Sequence, residues 1–560
     1  MFRLIALTVF EVVCGCGLMP AADSPFLPLR DIKPGMHGTG KTIFSGETIA
    51  DFDVEILGVL ENIGPRQSLI LGRFSGGPLE HTGVMQGMSG SPVYIGGKLI
   101  GAVALGFPYS KDPIAGIRPI EEMLASTGSP WTGVKQTESA GGMREIGTPV
   151  SFGGFTAHTL EAFAAQLRPF GLEPRQGLGV GGAVGDQLGD PRTLHPGSMI
   201  SVQLMTGDLS VGADGTVTYI DGPNVYGFGH RFLGLGPTGL PFARSEVLAL
   251  VPNLNSSFKV SAARELMGVI KQDRNAAITG ELGIRADLVP VEIAINRNTY
   301  RMKMVNDRYL SPILLQMSAF SAIDGNERAA GPSAITVSGE ISLAGRPPVP
   351  IRSIYSGEGA VSLQASLAAA IPLSYILQGG FPELRVTGVK LRIDAVDKHK
   401  QLQIEDAALS KREAHPGDLV SLTARMTSEN GLELTREMQY RVPAGTANGT
   451  LYFSVADGPQ TSLADLRTLT SANPRSADEL IAAVNLVRPA DKTYVRVWRA
   501  DPDFQIAGVD LPDPPPSVAI VLAANTANTQ VRNSKVAQFE WDLSGWVVSG
   551  AKTVQLEVKN

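Results

Sequence analysis

Few side chains in this sequence have the type and setting to do chemistry. The most suggestive are in Gly87-Met88-Ser89-Gly90-Ser91-Pro92. A serine hydroxyl is a weak nucleophile until a positioned base takes its proton. It also needs N–H donors aimed at the oxygen that becomes negative. Glycines around Ser89 permit a tight loop whose amides point inward, and a strand then carries the chain away. On this reading Ser89 attacks a carbonyl carbon, and the amides of Gly87 and Ser89 form the oxyanion hole. Taken alone, the six residues read first as a plain turn between strands.

The natural base is histidine, and the chain has seven. His37, His81, His158, His195, His399 and His415 sit in ordinary loop contexts. His230 differs, because Tyr226-Gly227-Phe228-Gly229 leads into it from an apolar strand and the glycines allow close backbone approach. Ser89 with His230 would be a nucleophile and general base for acyl transfer.

Other chemistries lack their residues. The two cysteines, Cys14 and Cys16, have no third thiolate to complete a metal site, and neither a metal nor a cofactor is expected. Gly177-Leu178-Gly179-Val180-Gly181-Gly182 lacks the preceding apolar strand of a dinucleotide loop. Ala213-Asp214-Gly215 and Asp221-Gly222 read as hairpin turns, not calcium loops. A net charge of −6 without a basic run argues against nucleic acid as a partner.

The elements that must position Ser89 and His230 are strands. With 43% apolar and 18% charged residues, the 560-residue chain can bury several cores. Its 63 glycines and 38 prolines favour many turns and short strands over helical bundles. β-type runs occur at 52–60, 68–74, 91–97 and 98–107, and a brief helix starts at Ile120. A Ser/Thr/Gly-rich stretch at 127–147 reads as a loop, and period-two alternation resumes over 198–234. Further strands are expected at 289–295, 334–343 and 384–396, with a helix over 362–377 that Pro372 interrupts. Beyond Gln401, alternating strands with Pro-Gly and Asn-Gly turns read as a β-sandwich, and Ser476 caps a helix. The expected divisions are an export segment 1–22, a barrel domain 23–285, a β-rich domain 286–400, a sandwich with a helix 401–511, and a Pro-rich linker with a last β segment 512–560.

The N-terminal segment has Arg3 followed by a short apolar run, too short to span a bilayer. Val13-Cys14-Gly15-Cys16 is similar to a lipoprotein processing box, which would leave a lipid anchor on Cys16. Cleavage after Ala22 is the alternative. Either places the protein in the periplasm or cell envelope.

Two longer stretches carry a family resemblance. GVMQGMSGSPVYIGGKLIGAVALG (83–106) resembles the serine segment of the sporulation stage IV B peptidase family, and GTVTYIDGPNVYGFGHRFLG (215–234) resembles its histidine segment. The resemblance spans roughly residues 30–285. It implies a mainly β fold with a trypsin-like double β-barrel, Ser89 as nucleophile, His230 as general base, and a protein or peptide substrate. The segment order is the reverse of the family's, as in a circularly permuted domain. The family's acid falls on Ser75, which has no carboxylate. Glu80, Asp208 and Asp273 are nearby carboxylates, and the third triad member is unassigned. The expected function is an exported serine endopeptidase or self-processing peptidase. The alternative is a catalytically degenerate envelope scaffold built on the same barrels.

Overall fold

The structure, a computed structural model, describes residues 24–559 except 66, 126–141, 171, 173, 178–183, 186, 327–332, 470–473, 507–508, 512–514, 525–528 and 544. The export segment with Cys16 lies outside the described residues, as do most of the 127–147 loop and residues 178–182 of the glycine run.

The fold is mainly β. Its first unit is built from β1 (His37–Ser45), β2 (Thr48–Gly64), β3 (Gln67–Ser75), β4 (Pro92–Ile95), β5 (Lys98–Gly106) and β6 (Ile114–Pro119). The order β4-β1-β2-β3-β6-β5 closes because β4 also pairs with β5, giving a six-stranded barrel without free edges. Alternation explains its core: Phe52, Val54 and Ile56 all point inward from β2 to meet Ile70, Phe74, Val93 and Val103. Short α1 (Leu79–Thr82) precedes the serine loop, α2 (Ile120–Ala125) follows β6, and β7 (Arg144–Glu145) pairs with β5.

After β8 (Val150–Gly153), α3 (Ala157–Leu167) and β9 (Pro174–Gln176) comes a second ring. It comprises β10 (Met199–Gly207), β11 (Ser210–Asp221), β12 (Asn224–Gly227), β13 (Gly236–Val251), β14 (Phe258–Arg274) and β15 (Ala277–Leu282). The path β10-β13-β14-β15-β12-β11 closes through the β10–β11 pairing. Two six-stranded barrels therefore lie side by side, joined by bridges between Gly46 and Val247 and between Gln86 and Phe258.

One expected turn is not there. Ala213-Asp214-Gly215 runs straight through β11, paired with Val202, Ser201 and Ile200 of β10. The Asp214 carboxylate is satisfied inside the barrel by the Ser261 hydroxyl at 2.6 Å, so the polar residue does not need a turn. The Asp221-Gly222 turn is present, with Gly222 at φ +55°.

The second sheet continues past residue 285. β16 (Leu288–Ile295) and β17 (Asn298–Val305) extend it through the β17–β10 pairing. α4 (Leu310–Asp324) is buried on nearly every side, as an apolar helix inside a domain must be. β18 (Ser333–Leu343), β19 (Arg346–Gly357), α5 (Val361–Gln378) and β20 (Val386–Val396) complete a thirteen-stranded sheet with one continuous core. The helix α5 runs unbroken through Pro372, its Ala365, Ala369, Leu373 and Ile376 packed inward.

From Gln401 a four-stranded and a six-stranded sheet face each other over Leu402, Ile404, Leu422, Phe453, Val455, Val497 and Leu556, the sandwich read from the sequence. Strands at 547–549 and 551–558 belong to these two sheets, so the chain beyond 512 completes the sandwich. The Ser476 hydroxyl caps its helix by accepting the Glu479 amide at 3.2 Å.

Candidate active site

The serine loop is shaped by hydrogen bonds that use up its carbonyls. The Thr216 amide donates to the Ser89 carbonyl at 2.8 Å, the Thr216 hydroxyl to the Gly87 carbonyl at 2.9 Å, and the Thr218 hydroxyl to the Gly90 carbonyl at 2.7 Å. All three acceptors thus face β11 of the second barrel. On the other side, the Gly90 amide donates to Val103 of β5 at 2.8 Å and the Ser91 amide to Met88 at 2.9 Å. Among the described residues the amides of Gly87 and Ser89 have no partner.

Gly87 and Gly90 both have φ +93°, a conformation that strongly favours glycine. At Gly90 space adds a second reason. A Cβ there would lie 2.0 Å from the Thr216 carbonyl oxygen and 2.5 Å from the Phe228 nitrogen. The Ser89 side chain is fully buried, and its hydroxyl has no hydrogen-bond partner among the described residues. The same is true of Ser91, the second hydroxyl of the loop.

His230 comes from the second barrel. Where β12 ends, Phe228 (φ +68°) and Gly229 (φ +67°) turn the chain through two left-handed residues. Gly229 lies against β5, where a Cβ would be 3.2 Å from those of Ala102 and Ala104. The Phe228 amide donates to the Thr216 carbonyl at 3.2 Å. Thr216 is therefore bonded to both the serine loop and the turn that carries the histidine.

The His230 ring is 2% exposed, with Nδ1 2.6 Å from the Arg231 carbonyl oxygen. A carbonyl can only accept, so Nδ1 carries the proton and Nε2 presents its lone pair in the neutral ring. Nε2 is buried and has no partner among the described residues. Burial pushes the imidazole pKa below its ordinary value, opposed by the Glu145 charge and the Arg231 hydrogen bond. Glu145 is held 3.4 Å from the Arg231 guanidinium.

None of the sequence-level acid candidates takes the Nδ1 proton. Asp273 is fully buried and accepts amides from Phe232 (2.8 Å), Leu233 (2.7 Å) and Leu235 (3.2 Å), anchoring the segment behind His230. Asp208 accepts the Arg301 amide at 2.7 Å beside the β10–β11 turn. Glu80 and Ser75 are exposed on the first barrel. Sequence reasoning missed Thr216 and Glu145: a threonine within a strand and a glutamate after a loop carry no motif. Among the described residues no group of three His, Cys, Asp or Glu side chains is arranged to hold a metal.

Comparison with known families fits this architecture in part. Residues 29–124 match the SpoIVB peptidase S55 family. That stretch is the first barrel with Ser89, so the expected resemblance is found there; the histidine segment lies beyond it. No curated protein and no solved structure matches the chain.

Proposed function

We propose that the protein is a serine endopeptidase in which Ser89 is the nucleophile and His230 the general base. The observation that carries this reading is a pair of orphaned polar atoms. Ser89 Oγ and His230 Nε2 are both buried without partners among the described residues, on segments from two barrels that share Thr216 as a neighbour. Leaving such groups unpaired costs stability, so their retention is better explained by chemistry than by packing.

Nε2 takes the Ser89 proton as Oγ attacks the peptide carbonyl, and the developing oxyanion accepts from the Gly87 and Ser89 amides. The imidazolium then gives its proton to the leaving amine. Water repeats the sequence on the acyl-enzyme and regenerates Ser89. The Arg231 carbonyl fixes the tautomer, the orienting part of the role an acid plays in a triad. Because the Ser89 hydroxyl is shielded from solvent, substrate entry requires movement at the junction of the barrels.

The test is labelling of the full chain with a fluorophosphonate probe, alongside Ser89→Ala and His230→Ala. Labelling that depends on both residues, with Ser89-dependent cleavage of a peptide library or of the chain itself, supports the peptidase. Absence of any Ser89-dependent reaction leaves a degenerate binding scaffold, the reading favoured by the lack of a carboxylate on Nδ1. Export, with either Cys16 lipidated or cleavage after Ala22, belongs to the same proposal and rests on the N-terminal residue pattern.

A further inference from the structure

The junction between the barrels contains a buried cation that the Ser89–His230 chemistry does not use. Lys259, the second residue of β14, is 2% exposed. Its amide donates to the Gln86 carbonyl at 3.2 Å, and the Gln86 amide donates to the Ser257 carbonyl at 2.8 Å. The start of β14 is thereby tied to the residue preceding Gly87. The side chain continues along the same loop. A Cβ on Gly87 would lie 3.1 Å from Lys259 Cδ and 3.3 Å from Cγ, with Met199 Cε at 3.2 Å. The chain ends by donating from Nζ to the Thr42 hydroxyl of β1 at 2.7 Å. One side chain from the histidine barrel thus passes against the oxyanion loop and is tied to the serine barrel.

Packing alone does not call for an ammonium group here. A buried cation without a carboxylate in contact is costly, and a methionine would fill much of the same space. It packs against the neutral Thr42, Gln86 and Met199 and pairs across the sheet with Leu250, while the buried Asp214 acts on it as a charge. Asp214 itself is bonded to Ser261, and burial raises its pKa. Burial lowers the Lys259 pKa to about 7, with the Asp214 charge opposing the shift.

We propose that Lys259 is a positioning residue for acyl transfer: its ammonium, anchored on Thr42, holds the Gly87 amide in place for the oxyanion and adds a positive charge beside it. This rests on the peptidase reading above. Deprotonation of the ammonium would remove the charge and one of its three N–H donors, so activity should fall as the pH rises past the point where Lys259 loses its proton.

The experiment measures the rate of fluorophosphonate labelling of Ser89 from pH 5 to 9 in the full chain. Wild type is compared with Lys259→Met and Thr42→Val, and circular dichroism reports whether each variant is folded. The expected wild-type rate rises as His230 deprotonates and falls above about pH 7. Lys259→Met should label at least about 10-fold more slowly and lack the alkaline fall. Thr42→Val keeps the lysine but not its acceptor, and its alkaline limb should move to lower pH. A folded Lys259→Met that labels at the wild-type rate with the wild-type pH profile overturns the proposal and leaves the peptidase intact. If Lys259→Met does not fold, Thr42→Val decides in the same way. No Ser89-dependent labelling of wild type overturns the peptidase reading and this one with it.

Discussion

The amide of Thr216 donates to the carbonyl of Ser89 at 2.8 Å, joining a strand of one barrel to the serine loop of the other. The Thr216 hydroxyl and carbonyl extend the link to Gly87 and Phe228. The position of the serine loop relative to the histidine turn is therefore set in large part by one residue. Replacing Thr216 by valine keeps the shape and the main-chain bonds but leaves the Gly87 carbonyl without that donor. We expect about 1–2 kcal/mol lower stability by urea denaturation. Labelling of Ser89 should slow about 10-fold, since the oxyanion amides are held less firmly.

The serine loop should tolerate no side chain at Gly90. With a Cβ 2.0 Å from the Thr216 oxygen and a left-handed backbone, Gly90→Ala must push the loop off β11. A loss of roughly 3 kcal/mol or more in unfolding free energy is expected. Gly96 also has positive φ but has no atom near its Cβ direction, so Gly96→Ala provides a backbone-only control that should cost about 1 kcal/mol.

The carboxylates should separate by role. Asp273→Ala leaves one buried and two partly buried amides without their acceptor, and we expect a loss of roughly 3 kcal/mol with slower labelling. Asp208→Ala and Glu80→Gln touch neither Ser89 nor His230 and should label within about 2-fold of wild type. A collapse of labelling in Asp208→Ala or Glu80→Gln in a folded protein would show that the substituted carboxylate serves as the triad acid.

The acid limb of the labelling profile follows from the burial of His230. Its pKa lies below the ordinary 6.5, so half-maximal labelling should fall below pH 6.5. Stability has the same sign. The unfolded chain takes up the histidine proton first, so this contribution is full above pH 6.5 and is lost as pH falls through the folded value. His230→Gln should flatten that part of the stability curve.

The two export readings predict different N-termini. In a bacterial host, lipidation would leave Cys16 first and hold the protein in the membrane fraction, and Cys16→Ser would release it. Cleavage after Ala22 instead gives a chain beginning at Asp23, unaffected by that substitution. Mass spectrometry of the purified chain distinguishes them.

Much of the framework follows from local sequence. Period-two alternation in 52–60 and 289–295 marks strands because a residue's neighbours two positions away share its face. The Gly-Met-Ser-Gly-Ser-Pro loop is legible because its glycines answer to backbone angles that strongly favour glycine. Ala213-Asp214-Gly215 shows where local reading stops: turn-forming residues became strand because Ser261, 47 residues away, satisfies the aspartate. The same limit hid Thr216 and Lys259, an ordinary strand threonine and lysine by type. Their partners, Ser89 and Thr42, are contributed by the other barrel, and only closure and apposition of the two rings bring them together. The sequence by itself determined the strands, the serine loop and the histidine turn. The tertiary structure decided which hydrogen bonds surround them, because those bonds connect segments distant in the chain, by more than a hundred residues for Thr216 with Ser89 and for Lys259 with Thr42.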